Sequence, residues 1–201
     1  MKLHCKGFIL TAVATGLMLP AVAQTSTPAA KPATINQRKE NQQDRIGNGV
    51  QSGELTAGEA GRLEKKEGEV NQEERDMRKL DNGHLTSSDR ATLNQQQNKL
   101  SKNIYNQKHD AQTQNVNAKS EVGQRERNQQ ERIAQGVKSG QLTAGEAAHV
   151  EHREAAINHE VHNERAANGG TLTPAERRQV NRQENRTSRA IYRKKHNGRI
   201  Q

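Results

Sequence analysis

The chain is short of the residues that fill a globular core. It has no tryptophan, one phenylalanine and two tyrosines, and 29% of its 201 residues are apolar. A compact globule of that length normally buries much more apolar side chain. Two architectures remain: a disordered polar chain, or long thin helices meeting along narrow apolar seams. Cysteine is nearly missing too. Cys5 lies in an N-terminal stretch with a positive start (Lys2, Lys6), an apolar run from Gly7 to Leu19 and the small-residue pattern Ala21-Val22-Ala23. That is the layout of a cleavable signal peptide over residues 1–23, with the cut expected between Ala23 and Gln24. The apolar run is too short for a permanent membrane span. The expected mature chain is periplasmic or secreted and has no thiol, which excludes disulfides, thiolate catalysis and cysteine-bound zinc. Also missing are a glycine-rich phosphate loop and any Ser/His/Asp grouping on elements that would form a cleft. No enzyme activity and no cofactor are expected.

What the chain has instead is a punctuation mark used four times: Gly, any residue, Leu, Thr, two residues, an acid. The copies begin at Gly53, Gly83, Gly140 and Gly170. Glycine ends a helix in the left-handed region without a Cβ clash. Threonine then caps the next helix and the acid three residues on reaches back, forming a capping box. The expected pairs are Thr56 with Glu59, Thr86 with Asp89, Thr143 with Glu146, and Thr173 with Glu176. Pro174 adds a favourable first helical residue to the fourth copy.

Arg45-Ile46 and Arg132-Ile133, Leu55-Thr56 and Leu142-Thr143, and Ile104-Tyr105 and Ile191-Tyr192 are each 87 residues apart. A self-match at one period marks a duplicated structural unit. The fold expected is all-α, with two duplicated three-helix, up-down-up units of long amphipathic helices. A flexible tether rich in Pro, Thr, Ser and Ala covers 24–34, the first unit 35–110 and the second unit 122–197. Residues 111–121 form a linker or solvated bridge, and 198–201 a tail. The first seam is expected to carry Ile35, Ile46 and Val50; then Ala60, Leu63, Val70, Met77 and Leu80; then Leu93, Leu100 and Ile104. The second carries Val122, Ile133 and Val137; then Ala147, Val150, Ile157 and Val161; then Val180 and Ile191. Polar residues interrupt both: Gln42, Glu67 and Gln97, matched by Gln129, Glu154 and Glu184. Gln42 and Glu67 are expected to face each other. Such residues either form an internal polar site or set register at some cost in stability, and the second reading takes precedence.

The turn also looks like the second half of an EF-hand calcium loop, in its glycine, apolar residue and final acid. The first half lacks the ligands: Val50, Arg78, Leu80, Val137, Arg165 and Ala167 stand where oxygens are needed. Helix punctuation explains the motif without calcium. His149, His152, His159 and His162 cluster in the second helix of the second unit, away from its seam. Pairs three residues apart can chelate zinc, nickel or copper, which makes these four candidate metal ligands. The matching residues in the first unit are Arg62, Lys65, Gln72 and Arg75, so the fold asks only for hydrophilic side chains there.

Leu-Thr-x-x-acid opening a polar helix rich in Gln and Arg, best seen in Leu172 to Gln179, resembles the Leu-Thr-x-x-Gln family of periplasmic envelope-stress proteins. That family includes ATP-independent chaperones and metal-resistance accessory proteins. The resemblance implies an exported helical protein with a chaperone-like or metal-handling role. This chain departs from the pattern in having Glu or Asp where the family has Gln, and in repeating the motif four times.

The charge is concentrated at one end. The whole chain carries +9, and loss of Lys2 and Lys6 leaves +7. Residues 173–201 hold nine Lys and Arg against Glu176 and Glu184, so 24–172 is neutral. In the last helix Arg178, Arg182, Arg186, Arg189 and Arg193 recur at spacings of four, four, three and four. That is one helix face about 22 Å long. A planar guanidinium engages phosphate or carboxylate bidentately, so these five are the candidate anion-binding residues. The bland alternative is a solubilising face. The expectation is a non-enzymatic helical interaction protein of the bacterial envelope, with a metal-binding accessory protein as the alternative. Its expected partners are an anionic envelope component, met as a peripheral membrane contact, or an acidic client protein. Nucleic acid ranks below both for an exported chain. The narrow seams leave open closure on a second copy, as a homo-oligomer.

Overall fold

Among the described residues every helix begins at a hydroxyl side chain. The computed structural model describes residues 33–114 and 119–199, so the expected signal peptide with Cys5, the expected tether up to residue 32, part of the expected bridge and the last two residues lie outside the described residues. Among the described residues there are six α-helices and no strand: α1 (Ile35–Ser52), α2 (Ala57–Leu80), α3 (Ser87–Lys108), α4 (Glu121–Lys138), α5 (Ala144–Ala167) and α6 (Pro174–Lys195). Thr56, Thr86, Thr143 and Thr173 each accept a hydrogen bond from the N3 backbone N–H, while Glu59, Asp89, Glu146 and Glu176 accept one from the threonine N–H. Thr34, at the end of the expected tether, forms the same box with Gln37, and Ser120 caps α4.

The first and third turns close on a left-handed glycine, Gly53 at φ 76° and Gly140 at φ 69°. The chain then doubles back, and the N–H groups of Leu55 and Leu142 donate to the carbonyls of Gly49 and Gly136 at 3.0 and 2.9 Å. Both leucines are fully buried. A Cβ on Gly49 would stand 2.7 Å from Leu55 Cγ, and one on Gly136 2.7 Å from Leu142 Cγ. The missing side chain is what lets the turn's leucine reach the core.

Helices 18, 24 and 22 residues long are followed by helices of 18, 24 and 22. Internal hydrogen bonds recur at the same offset of 87. Gln43 Nε2 donates to Glu64 at 3.2 Å and Gln130 Nε2 to Glu151 at 3.0 Å. Arg45 donates to the hydroxyl and carbonyl of Ser101, and Arg132 does the same to Ser188. Tyr105 stacks on His109 and Tyr192 on His196.

Within each triplet all three helices touch, yet the most extensive packing is across triplets, α2 against α5 and then α1 against α4. The described residues form one compact unit. The crossing is antiparallel and follows a local two-fold. Gly58 lies against Ala155, and Gly68, which matches Ala155, lies against Gly145, which matches Gly58. Gly61 lies against its own match Ala148, and Gly47 against its own match Ala134. A self-matched pair on each helix pair is what an isologous contact requires. One apolar cluster holds Ile46, Val50, Leu55, Leu63, Leu100 and Ile104 and takes in Ala134 from the other triplet. A second gathers Ile133, Val137, Leu142, Val150 and Ile191, and a third Val122, Ile157, Val161, Leu172 and Val180.

Two expectations are corrected. Leu80 is 84% exposed rather than on the seam. At 3.6 residues per turn it lies about 100° round the helix from Leu63, and the seam position falls on Asp81. Gln42 does not pair with Glu67: its Nε2 donates to the carbonyl of Gln97 on α3 at 2.7 Å. Glu67 has no hydrogen-bond partner on either carboxylate oxygen. Residues 111–114 of the expected bridge are docked. Gln114 donates its backbone N–H to Gly53 O, accepts from Ala57 N–H through its side chain, and donates to Glu126.

Candidate functional surfaces

On α6 the side facing the bundle is made by Val180, Glu184, Thr187, Ala190 and Ile191. The remaining faces are free to carry charge. Arg178, Arg182, Arg186, Arg189 and Arg193 are all exposed, and among the described residues none forms an ion pair. Other arginines are hydrogen-bonded to a neighbouring helix: Arg45 and Arg132 to serines, Arg38 to Asn94 and Asn98, and Arg125 to Asn185. Arg186 shares with Arg153, Ala156, Ile157, Glu160 and Gln183 a shallow cleft of about 280 Å³ between α5 and α6. The matching positions on α3, Ala91, Gln95, Lys99, Lys102 and Asn106, are equally exposed. Helix packing therefore does not require arginine on this face.

The four histidines of α5 are exposed. His159 Nδ1 lies 3.2 Å from Asn163 Nδ2. Partial burial, with the charges of Lys194 and Arg153, holds the His149 imidazolium below its ordinary pKa. Among the described residues no three His, Cys, Asp or Glu side chains are placed to hold a metal ion. At the turns the acid that an EF-hand would give to calcium is already committed. Glu59 Oε2 accepts from both the N–H and the hydroxyl of Thr56, at 2.9 and 2.8 Å, and Glu146 does the same for Thr143.

The interior is strongly acidic. Glu64, Glu67, Glu151, Glu154 and Glu184 are 0–1% exposed and Glu126 is 6% exposed. Amides are their hydrogen-bond partners: Gln43 for Glu64, Gln130 for Glu151, Gln114 for Glu126 and Gln129 for Glu184. Burial pushes the Glu67 and Glu126 carboxyls up to about 7 and Glu151 up to about 8. Burial and neighbouring carboxylates raise Glu64 and Glu154 well above the ordinary range. The helical pattern pointed to Glu67, Glu154 and Glu184. It did not point to Glu64, Glu151, Gln43 or Gln130, whose burial comes from contact between the triplets; the 87-residue identity of Gln-Gln and of Glu at 64 and 151 was the available signal.

A cleft of about 360 Å³ lies where Thr56, Gln114, Gly123, Glu126, Asn158, His162 and Arg165 meet. No helix among the described residues is long and apolar enough to cross a membrane. No protein-family profile, curated protein or solved structure matches this chain.

Proposed function

We propose that this is an exported, non-enzymatic helical protein of the bacterial envelope, chaperone-like in character, that docks on anionic surfaces through the arginine face of α6. The observation that carries the reading is that five exposed arginines stand without an ion pair on one helix face whose five matching positions on α3 hold two lysines and no arginine. The chemistry favoured is phosphate of an anionic lipid or lipopolysaccharide, which the guanidinium fork engages in two directions at once. Export rests on the layout of residues 1–23, and N-terminal sequencing of secreted material should begin at Gln24.

Each basic residue near an anionic leaflet contributes about 1 kcal/mol. Replacing Arg178, Arg182, Arg186, Arg189 and Arg193 by glutamine should weaken binding to vesicles containing phosphatidylglycerol by on the order of 10³-fold. Binding of the parent should also fall as salt rises, because exposed charges are screened within about 8 Å at physiological ionic strength. Helicity by circular dichroism should be unchanged. Equal sedimentation of both proteins with vesicles across a salt series would reduce the strip to a solvated face.

A further inference from the structure

The local two-fold axis brings matched residues together. One matched pair is Glu64 and Glu151, 1% and 0% exposed, on helices that cross where Gly61 meets Ala148. A Cβ on Gly61 would lie 3.3 Å from Glu151 Cβ, so little separates the two backbones. Each carboxylate accepts one amide hydrogen bond on Oε2, and Oε1 of each has no partner. One turn along, Glu67 and Glu154 are fully buried with all four oxygens unpartnered. Gln42, Gln43, Gln97 and Gln129 also leave their side-chain carbonyl oxygens unpartnered. The site is thus rich in acceptors and short of donors. Protons on the carboxyl groups are the donors that such a site lacks, because a protonated carboxyl has one O–H to give.

The surrounding charges do not supply the deficit. Towards Glu67, α1 offers Lys39 and α2 its own Glu74; Lys39 is bonded to Glu74 at 3.0 Å. Towards Glu154, α4 offers Arg132 and Glu126, α5 Glu151 and α6 Glu184. Arg132 is bonded to Ser188. Glu184 has Arg125 near it, itself bonded to Asn185, and Glu126 has Arg165. From α3 the inward group is Gln97, which is neutral. An ionised carboxylate placed here without a cation carries a large desolvation cost.

We propose that the α2–α5 and α1–α4 contact is a proton-held joint: Glu64, Glu67, Glu151 and Glu154 keep their protons in the closed bundle, and their loss separates the two helical triplets. Opening exposes Gly61, Ala134, Ala148 and the acidic floor between them. A buried acid whose folded pKa is raised adds stability that is complete below the unfolded pKa, about 4.3. That stability is lost as pH climbs to the folded value, about 7 for Glu67 and about 8 for Glu151, and Glu64 and Glu154, also raised by burial, act in the same direction. The acids held below their ordinary range, Glu54, Glu74, Asp76, Asp89, Glu146 and Glu176, act oppositely and only below about pH 4. His149 acts against the trend as a single group near neutrality. The balance between about pH 5 and pH 8 belongs to the buried acids.

The test is urea unfolding of the mature protein from about pH 5 to pH 8, where each proton held in the fold raises the unfolding constant about tenfold per pH unit. The parent should become steadily less stable, and Glu64→Gln with Glu151→Gln should flatten the slope by up to about two protons' worth. Glu67→Gln alone should remove one and serves if the double variant does not fold. Infrared spectra of the parent should show a protonated-carboxyl C=O band at about pH 5 that fades by about pH 9 and is weaker in either variant. Hydrogen exchange, corrected for its intrinsic pH dependence, should rise first in α2 and α5 near Gly61 and Ala148. A flat stability profile, no carboxyl band, or the same slope in parent and folded variants overturns the proton-held interior. Simultaneous loss of protection in all six helices overturns the joint.

Discussion

At the far end of the first triplet Lys39 reaches Glu74, which also takes two hydrogen bonds from Arg78 at 3.1 and 2.8 Å. The same place in the second triplet holds Glu126, Val161 and Arg165, and the lysine–glutamate pair has become a carboxyl beside an apolar cluster. Near the other end Lys108 meets Glu54 at 3.1 Å, whereas the residue matching Glu54 is Gln141, and Lys195 donates to the carbonyl of Arg132. Among the described residues every ion pair lies in the first triplet. Residues 35–110 carry thirteen cations and thirteen anions; residues 122–197 carry fourteen and nine. One backbone plan thus supports two electrostatic solutions. The first half balances its charges and forms ion pairs, and the second leaves a surplus of cations on its surface, while both halves bury carboxyls. Since the plan is met without the second half's surplus charge, that surplus is where the search for a role is best directed.

The sharpest way to break the comparison is at Lys39 and its match Glu126. Burial pushes the Glu74 carboxyl up, and its bonds to Arg78 and Lys39 outweigh this and hold it below the ordinary range. Lys39→Met removes one partner of a largely buried carboxylate and should cost about 2 kcal/mol by urea midpoint at neutral pH. Glu126→Gln keeps a hydrogen-bonding group beside Gln114 and Asn158 and removes an acid whose pKa burial has raised to about 7. It should be close to neutral at about pH 5 and stabilising at about pH 8, because the parent loses the stability of its raised acid as pH climbs from the unfolded value to about 7. Two losses of equal size at both pH values would mean that the halves handle charge alike.

The helix set was legible from sequence because its rules are local. A glycine, a threonine and an acid at fixed spacing specify a stop and a start within seven residues, and the helix ends that flank the four turns lie within three residues of the glycine or threonine. The candidate arginine face was equally legible, since it depends only on 3.6-residue geometry and on which side the apolar residues occupy. What stayed hidden needs the second triplet. Gln43, Glu64 and their matches sit at ordinary surface positions of an isolated three-helix unit and are buried only because α2 meets α5. Leu80 failed for a simpler reason: a seam read residue by residue drifts, and one apolar residue past its end looks like a member.

A second comparison concerns what the halves share. Gly49 and Gly136 occupy matched positions against Leu55 and Leu142, so alanine at either should overpack the turn. The expected loss is about 1–2 kcal/mol in each case, read from thermal or urea unfolding. A loss at one site alone would show that the matched turns do not carry matched loads, and that the geometry common to both halves is only superficial.

The smallest expected effect tests whether the missing ion pairs matter at all. Lys195 is partly buried, and desolvation together with Arg132 lowers its pKa. Gln141→Glu writes in the carboxylate that Glu54 supplies to Lys108. Glu54 is held below its ordinary range mainly by its hydrogen bonds to Lys108 and Ser52, yet its side chain is 47% exposed. A pair of that kind is worth about 0.5 kcal/mol. Gln141→Glu should therefore stabilise by about that much at low salt and by less in high salt, with Glu54→Gln as the mirror loss. The gain should disappear at alkaline pH, as the lysine, whose pKa burial lowers, gives up its proton. If the added glutamate is neutral while Glu54→Gln is costly, the position of Lys195 is set by the Arg132 carbonyl rather than by charge. In that event the second half's lack of ion pairs is part of its packing and not an open electrostatic site.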